Sequence, residues 1–225
     1  MKLGNLRYVD RPAFIRDICR GKSVLNLGCA DATRVEKAVN ATDHIHVVIS
    51  QVAARLVGVD LNQTGLDKLK ASTGLKDLVC YDVEKIGELA PQLGAFDVVV
   101  VGELIEHLNN PGLMLGGIRK LLKEGGKLVL TTPNAMSVKF FLHGLLRRRD
   151  VSSDFHTVIF SFKTLAQLLD RYDYEPQQWA VAQWHHPGFR NRLFRPLMNL
   201  VFKIFPQCSD TLLCVATPRK ARPTS

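Results

Sequence analysis

Short apolar runs alternate with helical stretches from Val24 to Thr132, and that alternation restricts the fold more than any other feature of the chain. Val24 to Leu27, Leu56 to Val59, Leu78 to Val83, Phe96 to Val101 and Lys127 to Thr132 read as strands. Between them Arg34 to Arg55, Gln63 to Ala71, Ile86 to Leu93 and Pro111 to Lys123 space their apolar residues as helices do. Val98 to Val101 are consecutive valines, the pattern of a central strand covered on both faces. Strands joined by helices in this order build a doubly wound parallel sheet with right-handed crossovers. Further helices are expected at Asp10 to Arg20, Ser137 to Leu146 and Phe162 to Tyr172, and further strands at Gln177 to Trp184 and Thr211 to Thr217.

With 225 residues and 46% apolar composition the chain can bury a sizeable core and reads as a single α/β domain over residues 1–225. Cys19, Cys29, Cys80, Cys208 and Cys214 are widely spaced and form no CxxC pair, which points away from a disulfide framework or a zinc knuckle. A reducing cytoplasm fits, and neither a signal peptide nor a membrane-spanning run is read in the sequence. The net charge of +9 is concentrated in the last third, in Arg147 to Arg149, Arg190, Arg192, Arg195, Lys203, Arg219, Lys220 and Arg222. That asymmetry suits an anionic partner: a nucleic acid, an anionic membrane surface or an acidic substrate.

The strand ends carry the chemistry. Open α/β sheets bind ligands beyond the carboxyl ends of their strands. The first strand runs into Gly28, Cys29, Ala30, Asp31 and Ala32, a small-residue turn that lets backbone approach a ligand. Asp60 ends the next strand, where a carboxylate can accept both hydroxyls of a ribose, and Asp82 follows the third. After the valine strand come Gly102, Glu103, Glu106 and His107, the last three spaced to share one side of a helix's first turn.

Taken together, these stretches resemble the class I S-adenosylmethionine-dependent methyltransferases over nearly the whole chain. VLNLGCADA at Val24 to Ala32 resembles the first motif, VGVD at Val57 to Asp60 the ribose-binding acid, and YDVE at Tyr81 to Glu84 the adenine-side motif. FDVVVVGELIEHL resembles the fourth motif and LLKEGGKLVLTTPN at Leu121 to Asn134 the turn into the fifth strand. The resemblance implies a Rossmann-like seven-stranded sheet with an antiparallel last strand. It implies S-adenosylmethionine as cofactor, surrounded by Asn26, Gly28, Ala30, Asp60, Leu61, Asp82, Val83 and Gly102. The family usually has an acid where this chain has Asn26, and glycine where it has Ala30 and Ala32. These departures put tight cofactor binding in question and leave a catalytically impaired scaffold as an alternative.

Two subgroups, the ubiquinone-pathway O-methyltransferases and the small-RNA terminal 2′-O-methyltransferases, are similar in having Glu-x-x-Glu-His followed later by a histidine. Here that histidine is His156 in DFHTVIFSFKTLAQLL. Glu103, Glu106, His107 and His156 then form a divalent metal site for magnesium, manganese or zinc, while Glu103, His107 and His156 are the catalytic candidates. Glu103, Glu106 and His107 serve equally as helix-start capping. The reaction expected is methyl transfer to an oxygen of a small or lipid-linked acceptor, with an RNA 2′-hydroxyl as the alternative. Against RNA, no separate binding domain or stacking aromatics interleave with the basic residues. Residues 134–160 and 185–206 are the expected substrate-lid or surface-docking segments, the second a place for peripheral membrane contact.

Overall fold

The computed structural model describes residues 6–30, 44–147, 155–182 and 200–219. Its strands are β1 (Arg7–Tyr8), β2 (Ser23–Leu27), β3 (Arg55–Asp60), β4 (Leu78–Cys80), β5 (Phe96–Gly102), β6 (Leu122–Pro133), β7 (Tyr174–Ala182) and β8 (Thr211–Pro218). The α-helices described are α1 (Arg11–Cys19), α2 (Ile45–Ser50), α3 (Gln63–Thr73), α4 (Ala90–Leu93), α5 (Pro111–Arg119), α6 (Val138–Arg147) and α7 (Phe162–Arg171). The sheet runs β1-β7-β8-β6-β5-β2-β3-β4. β2 to β6 pair in parallel, whereas β8 is antiparallel to both β6 and β7.

The valine strand lies where the repeat demanded. Val99 and Val101 belong to the core on one face, with Met114, Leu115 and Ile118 of α5 and Leu165 and Leu169 of α7. Val98 and Val100 belong to the core on the other, with Ile15 and Cys19 of α1 and Ile49 of α2. Period-two alternation thus feeds two apolar layers from one strand, and none of the four valines is more than 2% exposed. Local signals set the helix ends. Asp10 caps α1 by accepting from the Ala13 amide at 2.9 Å, and Ser161 with Thr164 forms a capping box on α7.

Three expectations are corrected. The sheet has eight strands because Arg7–Tyr8 pairs in parallel with β7; two residues are too few to show a period. The third strand expected to reach Val83 stops at Cys80, since Asp82 accepts from the Glu84 amide at 2.9 Å and caps a 3₁₀ helix at Val83–Leu89. The helix expected to reach Lys123 ends at Arg119. There the Leu121 carbonyl accepts from the Phe96 amide at 2.8 Å and Leu122 pairs with Phe96, which starts β6. Residues 34–43 of the helix expected at Arg34 to Arg55, residues 185–199 of the expected segment 185–206, and Trp184 lie outside the described residues. Among the described residues no helix is long and apolar enough to cross a membrane.

The order places β2 between β3 and β5, so the chain winds outward in one direction through β3 and β4 and in the other through β5 and β6. The reversal opens a crevice beyond the carboxyl ends of β2 and β5.

Candidate functional site

Gly28 follows β2 with φ of 71°, and a Cβ there would sit 3.2 Å from the Leu104 side chain, so both conformation and space call for glycine. The next turn is tied to β3. Asp60 accepts from the Ala30 amide at 2.8 Å through Oδ2 and from the Asn62 amide at 2.9 Å through Oδ1. Around this frame lies a cavity of about 620 Å³ bordered by Asn26, Gly28, Ala30, Asp60, Gly102 and Glu103. Asp31 and Ala32 fall outside the described residues. Leu61, Asp82 and Val83 do not border this cavity: Leu61 is 70% exposed, Val83 is in the core, and Asp82 caps its helix.

The turn after β5 differs from the helix expected there. Glu103 takes φ of 52° while its amide donates to the Thr131 carbonyl at 2.9 Å, and a single 3₁₀ turn follows at Ile105–His107. Glu103, Glu106 and His107 therefore do not share one helix face. Glu106 is 1% exposed and accepts from Thr132 Oγ1 at 3.0 Å through Oε2, while its Oε1 is buried without a hydrogen-bond partner among the described residues. Burial, reinforced by the charge of Glu103, pushes the Glu106 carboxyl up to about 8.

His156 reaches this turn through backbone stitching. The Thr157 amide donates to the Glu106 carbonyl at 2.8 Å, and the single hydroxyl proton is shared between the Glu106 carbonyl at 3.0 Å and the Leu108 carbonyl at 2.9 Å. The His107 ring Nδ1 lies 3.1 Å from the Phe155 carbonyl oxygen. A carbonyl can only accept, so Nδ1 carries a proton and Nε2 of the neutral ring keeps its lone pair. The His107 and His156 rings meet edge to face with centroids 4.7 Å apart. His156 Nδ1 is buried without a partner among the described residues, and burial followed by the nearness of His107 lowers its pKa. One donor atom each from Glu106, His107 and His156 lies within 4.8 Å of the others. Three of the four expected ligands thus converge, and Glu103 stands outside the group.

A carboxylate oxygen and two imidazole nitrogens are donors that suit a divalent ion. Two of these residues bury a polar atom that the described residues leave unpartnered. The residue types and this orphaned polarity fit a metal.

Several cavity residues carried no readable signal: His44, His46, Arg11 and Asp210 border the cavity, beside Cys29 of the small-residue turn and Ser137 and Lys139 of the expected lid segment 134–160. His44 and His46 sit in HIHVVIS, where the alternation shows only a buried helical face.

A family model described as a methyltransferase domain matches residues 6–178. The ubiquinone biosynthesis O-methyltransferase of Neisseria meningitidis serogroup A is 29% identical over 143 residues, covering 61% of this chain and 53% of that protein. The protein of the same name from Xanthomonas oryzae pv. oryzae is 31% identical over 125 residues, covering 54% of this chain and 47% of its own length. The chain spans about half the length of these curated relatives. A solved SAM-dependent methyltransferase from Archaeoglobus fulgidus shares the fold with a TM-score of 0.58 at 16% identity, covering 92% of each chain. With the matched family model spanning most of a sheet whose switch point holds Gly28 and Asp60, the chain belongs to the class I S-adenosylmethionine-dependent methyltransferases.

Proposed function

We propose that this chain transfers the methyl group of S-adenosylmethionine to a hydroxyl oxygen of a small or lipid-linked acceptor, with a divalent ion held by Glu106, His107 and His156. The observation that carries this reading is the convergence of those three donors within 4.8 Å on the rim of the cavity. The relatives named ubiquinone biosynthesis O-methyltransferase support oxygen as the accepting atom.

S-adenosylmethionine supplies an electrophilic methyl group on a sulfonium, and a divalent ion, magnesium, manganese or zinc, lowers the pKa of a hydroxyl bound to it. The rest is work for side chains of this chain. Asp60, fixed by two backbone amides, accepts from the ribose hydroxyls. Asn26, Gly28, Ala30 and Gly102 border the remaining cofactor space. Glu106 offers its unpartnered oxygen, His107 its Nε2 and His156 its Nδ1. Glu103 borders the same cavity, and its charge reinforces the upward shift of the Glu106 carboxyl. Without the ion, the lone pair of His107 or His156 would instead be free to accept the acceptor's proton, with burial lowering the pKa of His156.

An apolar acceptor is supported by α6. Phe140 borders the cavity, while Phe141, Leu145 and Leu146 of the same helix are 66%, 63% and 74% exposed. The sequence continues with Arg148 and Arg149, which suits an anionic membrane surface next to a lipid-linked substrate.

The test is turnover of methyl-labelled S-adenosylmethionine with a prenylated catechol as probe. Label is expected on the phenolic oxygen, lost after chelator treatment and restored by magnesium or manganese. Turnover indifferent to chelator removes the metal from the reading, and label on carbon or nitrogen removes the oxygen.

A further inference from the structure

Asn26 stands where relatives of this class usually carry an acid, and its surroundings explain the change. Its side chain is 3% exposed, on the border of the cavity, and its Nδ2 lies 3.2 Å from Nδ1 of His46. The nitrogen of an amide has no free lone pair, so Nδ2 donates and Nδ1 accepts. His46 is therefore the neutral tautomer with its proton on Nε2. The ring is 1% exposed, and burial together with nearby His44 holds its pKa down to about 3, so it stays an acceptor throughout the physiological range.

Packing fixes the ring's place. A Cβ on Gly58 would fall 2.7 Å from His46 Cε1 and 2.7 Å from Cys29 Sγ, so the bare backbone of β3 makes the slot that the ring fills. With Nδ2 engaged, the planar amide holds Oδ1 on its opposite edge. Turning the amide over would require the other neutral tautomer, with the proton on Nδ1 donating to Oδ1. An aspartate in place of Asn26 could only accept, and would need the ring's proton on Nδ1.

We propose that His46 is a positioning residue for the cofactor: it locks the amide of Asn26 so that the oxygen serves the ammonium of the cofactor's amino-acid end, the task an acid has elsewhere in the family. The neutral pair Asn26–His46 thus replaces a single carboxylate. This rests on the cavity being the cofactor site, and the experiment separates the two.

The experiment is calorimetric titration with S-adenosylhomocysteine of the unsubstituted chain, His46→Leu and His46→Gln. The unsubstituted chain is expected to bind. His46→Leu, which cannot accept from Asn26, is expected to bind about tenfold more weakly, the worth of one net hydrogen bond. His46→Gln, whose side-chain oxygen can accept from Nδ2, is expected to stay within about threefold of the unsubstituted chain. Nitrogen-resolved imidazole NMR of the unsubstituted chain is expected to show His46 Nδ1 unprotonated and Nε2 protonated near neutral pH, a readout that needs no variant to fold. His46→Leu binding as tightly as the unsubstituted chain, equal losses in the Leu and Gln variants, or a proton on Nδ1 overturns the proposal. Failure of the unsubstituted chain to bind overturns the cofactor site itself, and this inference with it.

Discussion

Acid should destabilise this fold through His46, and the size of the effect follows from its burial. The pKa of the ring falls from 6.5 when solvated to about 3 in the folded chain, where burial is the leading cause and His44 the second. Between those values the unfolded chain binds the extra proton and the folded chain does not. Stability is therefore full above the solvated pKa and declines as pH falls toward the folded one. At about pH 5, some one and a half pH units below the solvated pKa, the loss from this one group is about 2 kcal/mol. Urea unfolding followed by tryptophan fluorescence near pH 7.5 and near pH 5, on the unsubstituted chain and His46→Gln, isolates the contribution because glutamine does not titrate. The unsubstituted chain is expected to lose about 2 kcal/mol more than the variant over that interval. Equal losses would refute the burial argument, since an accessible His46 would titrate alike in both states.

Asp60→Ala is expected to weaken S-adenosylhomocysteine about thirtyfold in calorimetry, because hydrogen bonds to a carboxylate are worth about 1.5–3 kcal/mol; unchanged affinity would remove Asp60 from the cofactor site. Gly58→Ala places a methyl group 2.7–2.8 Å from Cys29, His46 and Leu78 in the strand between β2 and β4. It should cost about 2 kcal/mol in chemical denaturation, and a loss near zero would mean the slot for His46 is looser than described. Leu145→Glu with Leu146→Glu should abolish co-sedimentation with vesicles of anionic phospholipid while leaving S-adenosylhomocysteine affinity unchanged; sedimentation equal to that of the unsubstituted chain would detach α6 from the membrane reading.

Much of the framework was legible because its signals are local. Val98 to Val101 could belong only to a strand covered on both faces, and both faces are filled. Gly28 and Asp60 were readable as a tight turn and a strand-end acid, and the two sites are joined by the Ala30 amide. Glu103 was misplaced because its φ of 52° has no sequence marker: glycine would have announced the turn, and glutamate does not. His156 was reachable only through a family likeness, since the hydrogen bonds that hold it beside this turn run from Thr157 to Glu106 and Leu108, 51 and 49 residues away. His46 was not legible at all. Its role exists only where Asn26 of β2, the gap at Gly58 of β3 and the first turn of α2 come together.

The proposed divalent ion at Glu106, His107 and His156, beside the cofactor, can be seen or refuted in a single crystal form. The measurement is anomalous diffraction from crystals grown with manganese and S-adenosylhomocysteine. One strong peak is expected, bound by the carboxylate of Glu106 and by both imidazoles, adjacent to the sulfur of the bound molecule. A cofactor seated at Asp60 with no peak at these three residues, or with manganese bound elsewhere, would contradict it.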